Sequence, residues 1–169
     1  ISFGAEEIKR ILAEYKDMIA KIAFHYLKNW ADAEDITQDV MLKWVKKKPV
    51  FSSTENEKAW FIRVTINLCK DRLRLSWLKK IVVTENELWT EPKSETEQSE
   101  VLQQVLNLPE KYRIVLYLYY YEGYTLNEIA GILKKNPNTV QTWHQRAKML
   151  LKPKLEGLSN EYGFIQRST

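Results

Sequence analysis

Apolar residues recur along most of this chain in steps of three and four, the spacing of one helical face, and no segment makes a convincing strand pair. Ile8, Leu12, Tyr15, Ile19, Ile22 and Tyr26 draw a narrow stripe down a first predicted helix, which must pack against something. Residues 32–48 form a second, with Ile36, Val40, Met41, Trp44 and Val45 on its buried side. Its other side gathers Asp35, Gln38, Asp39, Leu42 and Lys46. A leucine exposed among carboxylates and an amide fits either a contact surface for a protein partner or an ordinary solvated face.

After a polar loop at 49–56, residues 58–75 wind into a third helix. Arg63, Asn67, Lys70 and Arg74 fall within a stripe of roughly 60° on it, while Phe61, Ile62, Val64, Ile66, Leu68 and Leu73 occupy much of the rest. Arg72 falls inside the apolar arc and is expected to run its stem out to solvent. Trp60, beside the cationic stripe, is placed either to stack on an unpaired base or to fill the core. The run VTENELWTEPKSETEQSE then has the composition of an extended connector, with Leu88 and Trp89 as its apolar exceptions.

Helical spacing resumes over 101–108, and an aromatic-rich helix follows over 109–121, ending at Glu122 and Gly123. Thr125 and Glu128 have the spacing of a capping box, so another helix starts there, with Ile129, Ala130, Ile132 and Leu133 on its buried side. Lys134, Lys135 and Asn136 interrupt it before Pro137, which suits a first helical turn. The next helix turns Val140, Trp143, Ala147, Leu150 and Leu151 to one side, with His144 at the margin. Gln141, Thr142, Gln145, Arg146 and Lys148 fill the other arc. Amides and a guanidinium make paired hydrogen bonds to base edges, and Thr and Lys suit methyl or phosphate contacts. Residues 125–152 therefore read as a helix-turn-helix, the alternative being a helical hairpin with a solvated polar face.

Charge sharpens this division. Of the 169 residues, 1–80 carry 16 Lys and Arg against 11 Asp and Glu, 81–104 carry 1 against 6, and 105–169 carry 9 against 5. The signs run basic, acidic, basic, within a net charge of only +4. The middle block is either a linker that avoids DNA while its neighbours approach phosphates or a solubilising spacer. The expected fold is all-α, two small helical domains joined by an acidic linker: 1–80, a linker at 81–104, 105–155 with the helix-turn-helix, and a tail at 156–169.

The single cysteine, Cys69, excludes an internal disulfide framework and sits in an apolar helical context, so it is expected in the core of an intracellular protein. No apolar run is long enough to cross a bilayer, and the opening ISFGAEEIKR lacks the layout of a secretory signal. No Gly-rich phosphate loop occurs, and His25 and His144 have no metal-ligand spacing with Cys or carboxylates. Asp32, Glu34, Asp35 and Asp39 lie on different faces of a helix start, where acids also suit the macrodipole. No catalytic residue, metal or cofactor is expected.

DAEDITQDVMLKWV, KAWFIRVTINLCKDRLR, LPEKYRIVLYLYYYEGYTLNEIAGIL and NTVQTWHQRAKMLL, in this order and around an acidic tether, resemble the extracytoplasmic-function sigma factors of bacterial RNA polymerase. The resemblance implies a cytoplasmic promoter-specificity subunit, not an enzyme, whose partners are promoter DNA, the core polymerase through its β′ clamp and β flap, and an anti-sigma protein. It implies that Asp35, Gln38 and Asp39, with Leu42 beside them, face the β′ clamp. Trp60, Arg63, Asn67, Lys70 and Arg74 would engage the −10 element, with the loop at 49–56 capturing a flipped base. Gln141, Thr142, Gln145, Arg146 and Lys148 would contact the −35 element, with Thr139 at its backbone. Trp143 and His144 depart from the family's usual basic and aliphatic residues at those positions. A helix-turn-helix regulator acting without polymerase, or a module that binds only proteins, would carry the same C-terminal pattern.

Overall fold

The computed structural model describes residues 4–82 and 100–156, with the side chains of the first stretch as far as residue 78. The tether residues 83–99 and the tail beyond 156 lie outside the described residues. Those described are helical, with no strand among them, and α1–α3 form one compact unit and α4–α7 another.

In the first unit, α1 (Ala5–Leu27) starts where the Gly4 carbonyl accepts from the amides of Glu7 and Ile8, and it ends at Lys28 in the left-handed region. Asn29 caps α2 (Trp30–Lys47), its Oδ1 accepting from the Asp32 amide at 3.1 Å. Lys48, again left-handed, closes α2 before Pro49. The next helix, α3 (Thr54–Val82), opens inside the stretch expected as loop. The Ser53 hydroxyl accepts from the Asn56 amide at 3.1 Å, and Glu55 and Glu57 in the first turn suit the helix dipole.

Ile11, Ile19, Ile22, Ile36, Val40, Trp44, Phe61 and Ile62 form the centre of this unit, with Cys69 also fully buried. Tyr15 stacks on Phe61 with centroids 4.6 Å apart. The buried arc of α1 is broader than the expected stripe and rotated from it, because α1 packs on both α2 and α3. Ile11, Met18 and Ala23 are inside, whereas Ile8 and Leu12 are exposed. Val45 of α2, also expected inside, is exposed. At the edge of this core the Glu57 carboxylate accepts two bonds from the Arg10 guanidinium, each 2.9 Å, and one from the Tyr15 hydroxyl at 2.7 Å. Arg10 holds the Glu57 carboxyl below the usual range, and the cluster ties α1 to the start of α3.

The first described helix of the second unit, α4 (Glu100–Leu106), lies where helical spacing resumes at 101, inside the block read as the acidic linker. Val105 belongs to the apolar cluster of Leu108, Tyr112, Leu116, Ala147, Leu151 and Leu155, and Val101 packs partly against it, which extends the helix back into the acidic stretch. Buried Arg113 donates to the carbonyls of Leu106 and Leu108, satisfying groups that the end of α4 leaves open. Aromatic α5 (Glu110–Leu116) does not continue as an α-helix. Tyr117–Tyr121 widen into a π turn, with the Glu122 amide donating to the Tyr117 carbonyl at 3.3 Å. The Tyr117 hydroxyl donates to Glu122 at 2.8 Å, and burial pushes its pKa far up. Gly123, at φ 74°, takes a conformation that a side chain would strain, and it turns the chain into α6 (Leu126–Leu133) and α7 (Pro137–Glu156).

Candidate nucleic-acid and polymerase interfaces

On α3, Arg63, Asn67, Lys70 and Arg74 are all exposed, as their spacing requires. Arg74 meets Asp71 at 3.3 Å across an exposed pair that costs little to separate. Trp60 satisfies neither extreme of its sequence reading. It is half-buried, edge-on to Phe51 at 5.8 Å and to Phe61 at 5.0 Å, so the core grips the indole without enclosing it.

On α2, Asp35, Gln38, Asp39 and Leu42 are exposed, Leu42 by 55 %. Arg72, instead of running to solvent, turns back from α3 onto the start of α2, meeting Asp32 at 2.9 Å and Asp35 at 3.4 Å. Asp35 therefore already has an intramolecular cation. Leu42 lines a groove between α1 and α2 together with Leu12, Ala20, Trp30, Gln38 and Met41. Trp30 is held there by stacking on Phe24 at 4.2 Å.

In the second unit both halves of the capping box form. The Thr125 amide donates to Glu128 at 3.1 Å and the Glu128 amide to the Thr125 hydroxyl at 3.2 Å. The bond from the Thr125 backbone holds the Glu128 carboxyl below its ordinary range. Lys134, left-handed at φ 54°, ends α6, and Asn136 accepts from the Asn138 amide at 2.8 Å to start α7. A short turn thus separates the two helices, as their sequences predict.

Gln141, Thr142, Gln145 and Arg146 lie exposed along α7, with Thr139 and Lys148 half-exposed beside them. The Thr142 hydroxyl donates to the Asn138 carbonyl at 2.9 Å, which leaves its methyl group and lone pairs for an external contact. The buried face differs from the expected one. Val140, His144, Ala147, Leu151 and Leu155 are inside, Trp143 is at the edge beneath the Lys111 ammonium, and Leu150 is exposed. His144 is only 6 % exposed and packs against Tyr119 with centroids 4.6 Å apart, so the π turn supplies an aromatic wall where apolar spacing alone favoured Leu150. Burial, aided by Lys148, pushes the His144 pKa below 6.5.

One exposed aromatic escaped the sequence reading because the third helix was expected to stop at residue 75. Trp77, 61 % exposed, lies three residues beyond Arg74. Among the described residues no group of His, Cys, Asp and Glu is arranged to hold a metal ion, and no helix is long and apolar enough to cross a membrane.

Two family models fall on these two units. Residues 11–78 match Sigma-70 region 2, and residues 98–151 match Sigma-70, region 4. The chain is 31 % identical over 148 residues to the RNA polymerase sigma factor SigV of Bacillus subtilis, covering 85 % of this chain and 88 % of that protein. This chain belongs to the extracytoplasmic-function sigma factors of the sigma-70 family. The same family includes the ECF RNA polymerase sigma factor SigW of Bacillus subtilis, which is 29 % identical over 161 residues, 85 % of this chain and 86 % of SigW. The sigma fold is matched by the sigma factor RpoE of Bartonella quintana, solved in complex with the anti-sigma factor NepR. Its TM-score is 0.71 at 19 % identity, over 90 % of this chain and 98 % of that one. CnrH, solved with the cytosolic domain of CnrY, matches with a TM-score of 0.64 at 18 % identity, over 92 % of each chain.

Proposed function

We propose that this sigma factor directs core RNA polymerase to its promoters by dividing the DNA between its two units. Arg63, Asn67, Lys70 and Arg74 on α3 hold the phosphates of the opened −10 segment, and Trp60 offers the exposed part of its ring to a base there. Gln141, Gln145 and Arg146 on α7 read base edges of the −35 duplex, while Thr142, Lys148 and Thr139 contact methyl groups and phosphates. Asp39, Gln38 and Leu42 on α2 meet the polymerase clamp, with Asp35 joining only if it shares or releases Arg72. The chain supplies base-dependent binding energy while the polymerase supplies catalysis. An anti-sigma protein regulates it by covering these surfaces, in the cytoplasm where polymerase and chromosome meet.

The observation that carries this reading is the pairing, within one chain, of an exposed cationic stripe on α3 with a capped helix-turn-helix whose second helix exposes a polar face. Run-off transcription with purified core polymerase on genomic fragments tests it. Discrete transcripts that require the added chain are expected. A high-affinity footprint by the chain alone, with no transcript at any promoter, would instead identify a free-standing DNA-binding regulator.

A further inference from the structure

The cationic stripe of α3 extends beyond Arg74. At 100° per residue, Trp77 lies about 60° from Arg74 and about 20° from Lys70, so it continues the same face for one more turn. Trp60 and Trp77 are 17 positions apart, which at 1.5 Å per residue is about 25 Å along the axis. The two indoles bracket the basic groups. They differ in availability, because Trp60 is held edge-on by Phe51 and Phe61 whereas Trp77 is 61 % exposed. Leu78, also exposed, adds an apolar flank on the other side of the stripe.

Among the described residues nothing encloses this tryptophan, and an indole so exposed loses apolar burial, so its position calls for an occupant. Charge complementarity selects one. Arg63, Lys70 and Arg74 lead a polyanion along the helix and deliver its bases to the indole beyond them, the combination that binds single-stranded nucleic acid by backbone neutralisation and base stacking.

We infer that Trp77 is a base-stacking residue, which takes an unpaired base at one boundary of the opened promoter segment. This rests on the placement of opened DNA along α3 proposed above, and it adds a contact at the far end of that helix. Stacking on an indole is indifferent to base identity, so Trp77 contributes to the stability of the opened state and not to promoter sequence preference.

The test uses the chain assembled with core polymerase and two labelled promoter probes, one fully paired and one with the −10 strand left unpaired as a fork. Wild type is expected to prefer the fork. Trp77→Ala is expected to lower fork affinity about tenfold with paired-probe affinity unchanged, and Trp77→Phe to retain most of it. An unchanged thermal midpoint for Trp77→Ala establishes that the fold is intact. Fork affinity equal to wild type, or equal loss on both probes, would overturn the inference. So would loss of binding to an anti-sigma protein with fork affinity preserved, which would assign Trp77 to a protein interface. A wild-type assembly without fork preference would instead overturn the placement of opened DNA on which the inference rests.

Discussion

His144 shows how one buried side chain gives a folded unit its own pH dependence. Among the described residues the groups that face it are the rings of Tyr119 and Tyr120 from the π turn and Lys148 one turn along α7, with no carboxylate shifting its titration. Its Nε2 is buried without a hydrogen-bond partner among the described residues, so protonation would place a charge where nothing compensates it. The folded-state pKa lies below 6.5, and as pH falls through 6.5 the unfolded chain takes up a proton that the folded chain refuses. Stability of the second unit is therefore expected to drop on acidification, at a rate of at most about 1.4 kcal/mol per pH unit for this one proton, until the folded pKa is reached. Urea melts of wild type and His144→Leu between pH 7.5 and 5.5 measure it: the variant should lose most of the slope, and parallel slopes would remove His144 as its source. Glu57 has the opposite ordinary form but the same sign in acid. Its depressed pKa supplies stability present above its unfolded value of 4.5 and lost as pH falls through the folded one, so the first unit yields in a lower window.

Among the elements, α3 carries most of the contacts proposed for opened DNA, and its exposed cationic side is distinct from its buried apolar one. Arg63→Ala combined with Lys70→Ala removes two exposed cations without opening a cavity, so promoter opening should fall while core binding holds. The salt slope of promoter binding should also shrink by about 1.4, if both side chains neutralise single-strand phosphates. Permanganate footprints and a core-binding titration run together separate the two effects; equal losses would place the stripe on the polymerase. The stripe was legible in the sequence because charge at helical spacing survives any modest rotation of the helix. The capping box was legible because Thr125 and Glu128 satisfy each other locally. Other features depended on partners distant in sequence. Arg72 could not be placed without knowing that α2 presents Asp32 and Asp35 to it, and the broadened face of α1 follows from packing on two helices at once. His144 looked marginal because apolar spacing assigns the inside of α7 to leucines, whereas the tyrosines of the π turn accept an imidazole. The last turns of α3, with Trp77, were hidden by a helix that outlasts its own apolar pattern.

For the whole molecule, the proposed division of promoter DNA between two units requires something to set their separation, and a polymerase acting as that ruler would raise their effective concentration on DNA. On this proposal assembly precedes recognition. Asp39→Ala, an exposed change on α2, is expected to weaken binding to core enzyme by about three- to tenfold while leaving the thermal midpoint unaltered. Unchanged affinity would exclude Asp39 from that interface. Among the described residues three helices, two in the first unit and one in the second, end on a lysine at positive φ: Lys28, Lys48 and Lys134. Glycine at each would relieve roughly 1 kcal/mol of backbone strain, part of it offset by the greater freedom of the unfolded chain, and the triple variant should melt several degrees higher in calorimetry. It would also fall from a net charge of +4 to +1, since three cations are lost, with slower and less salt-sensitive capture of a polyanion. Thermal hardiness and electrostatic reach thus compete for the same three positions, and lysine favours reach.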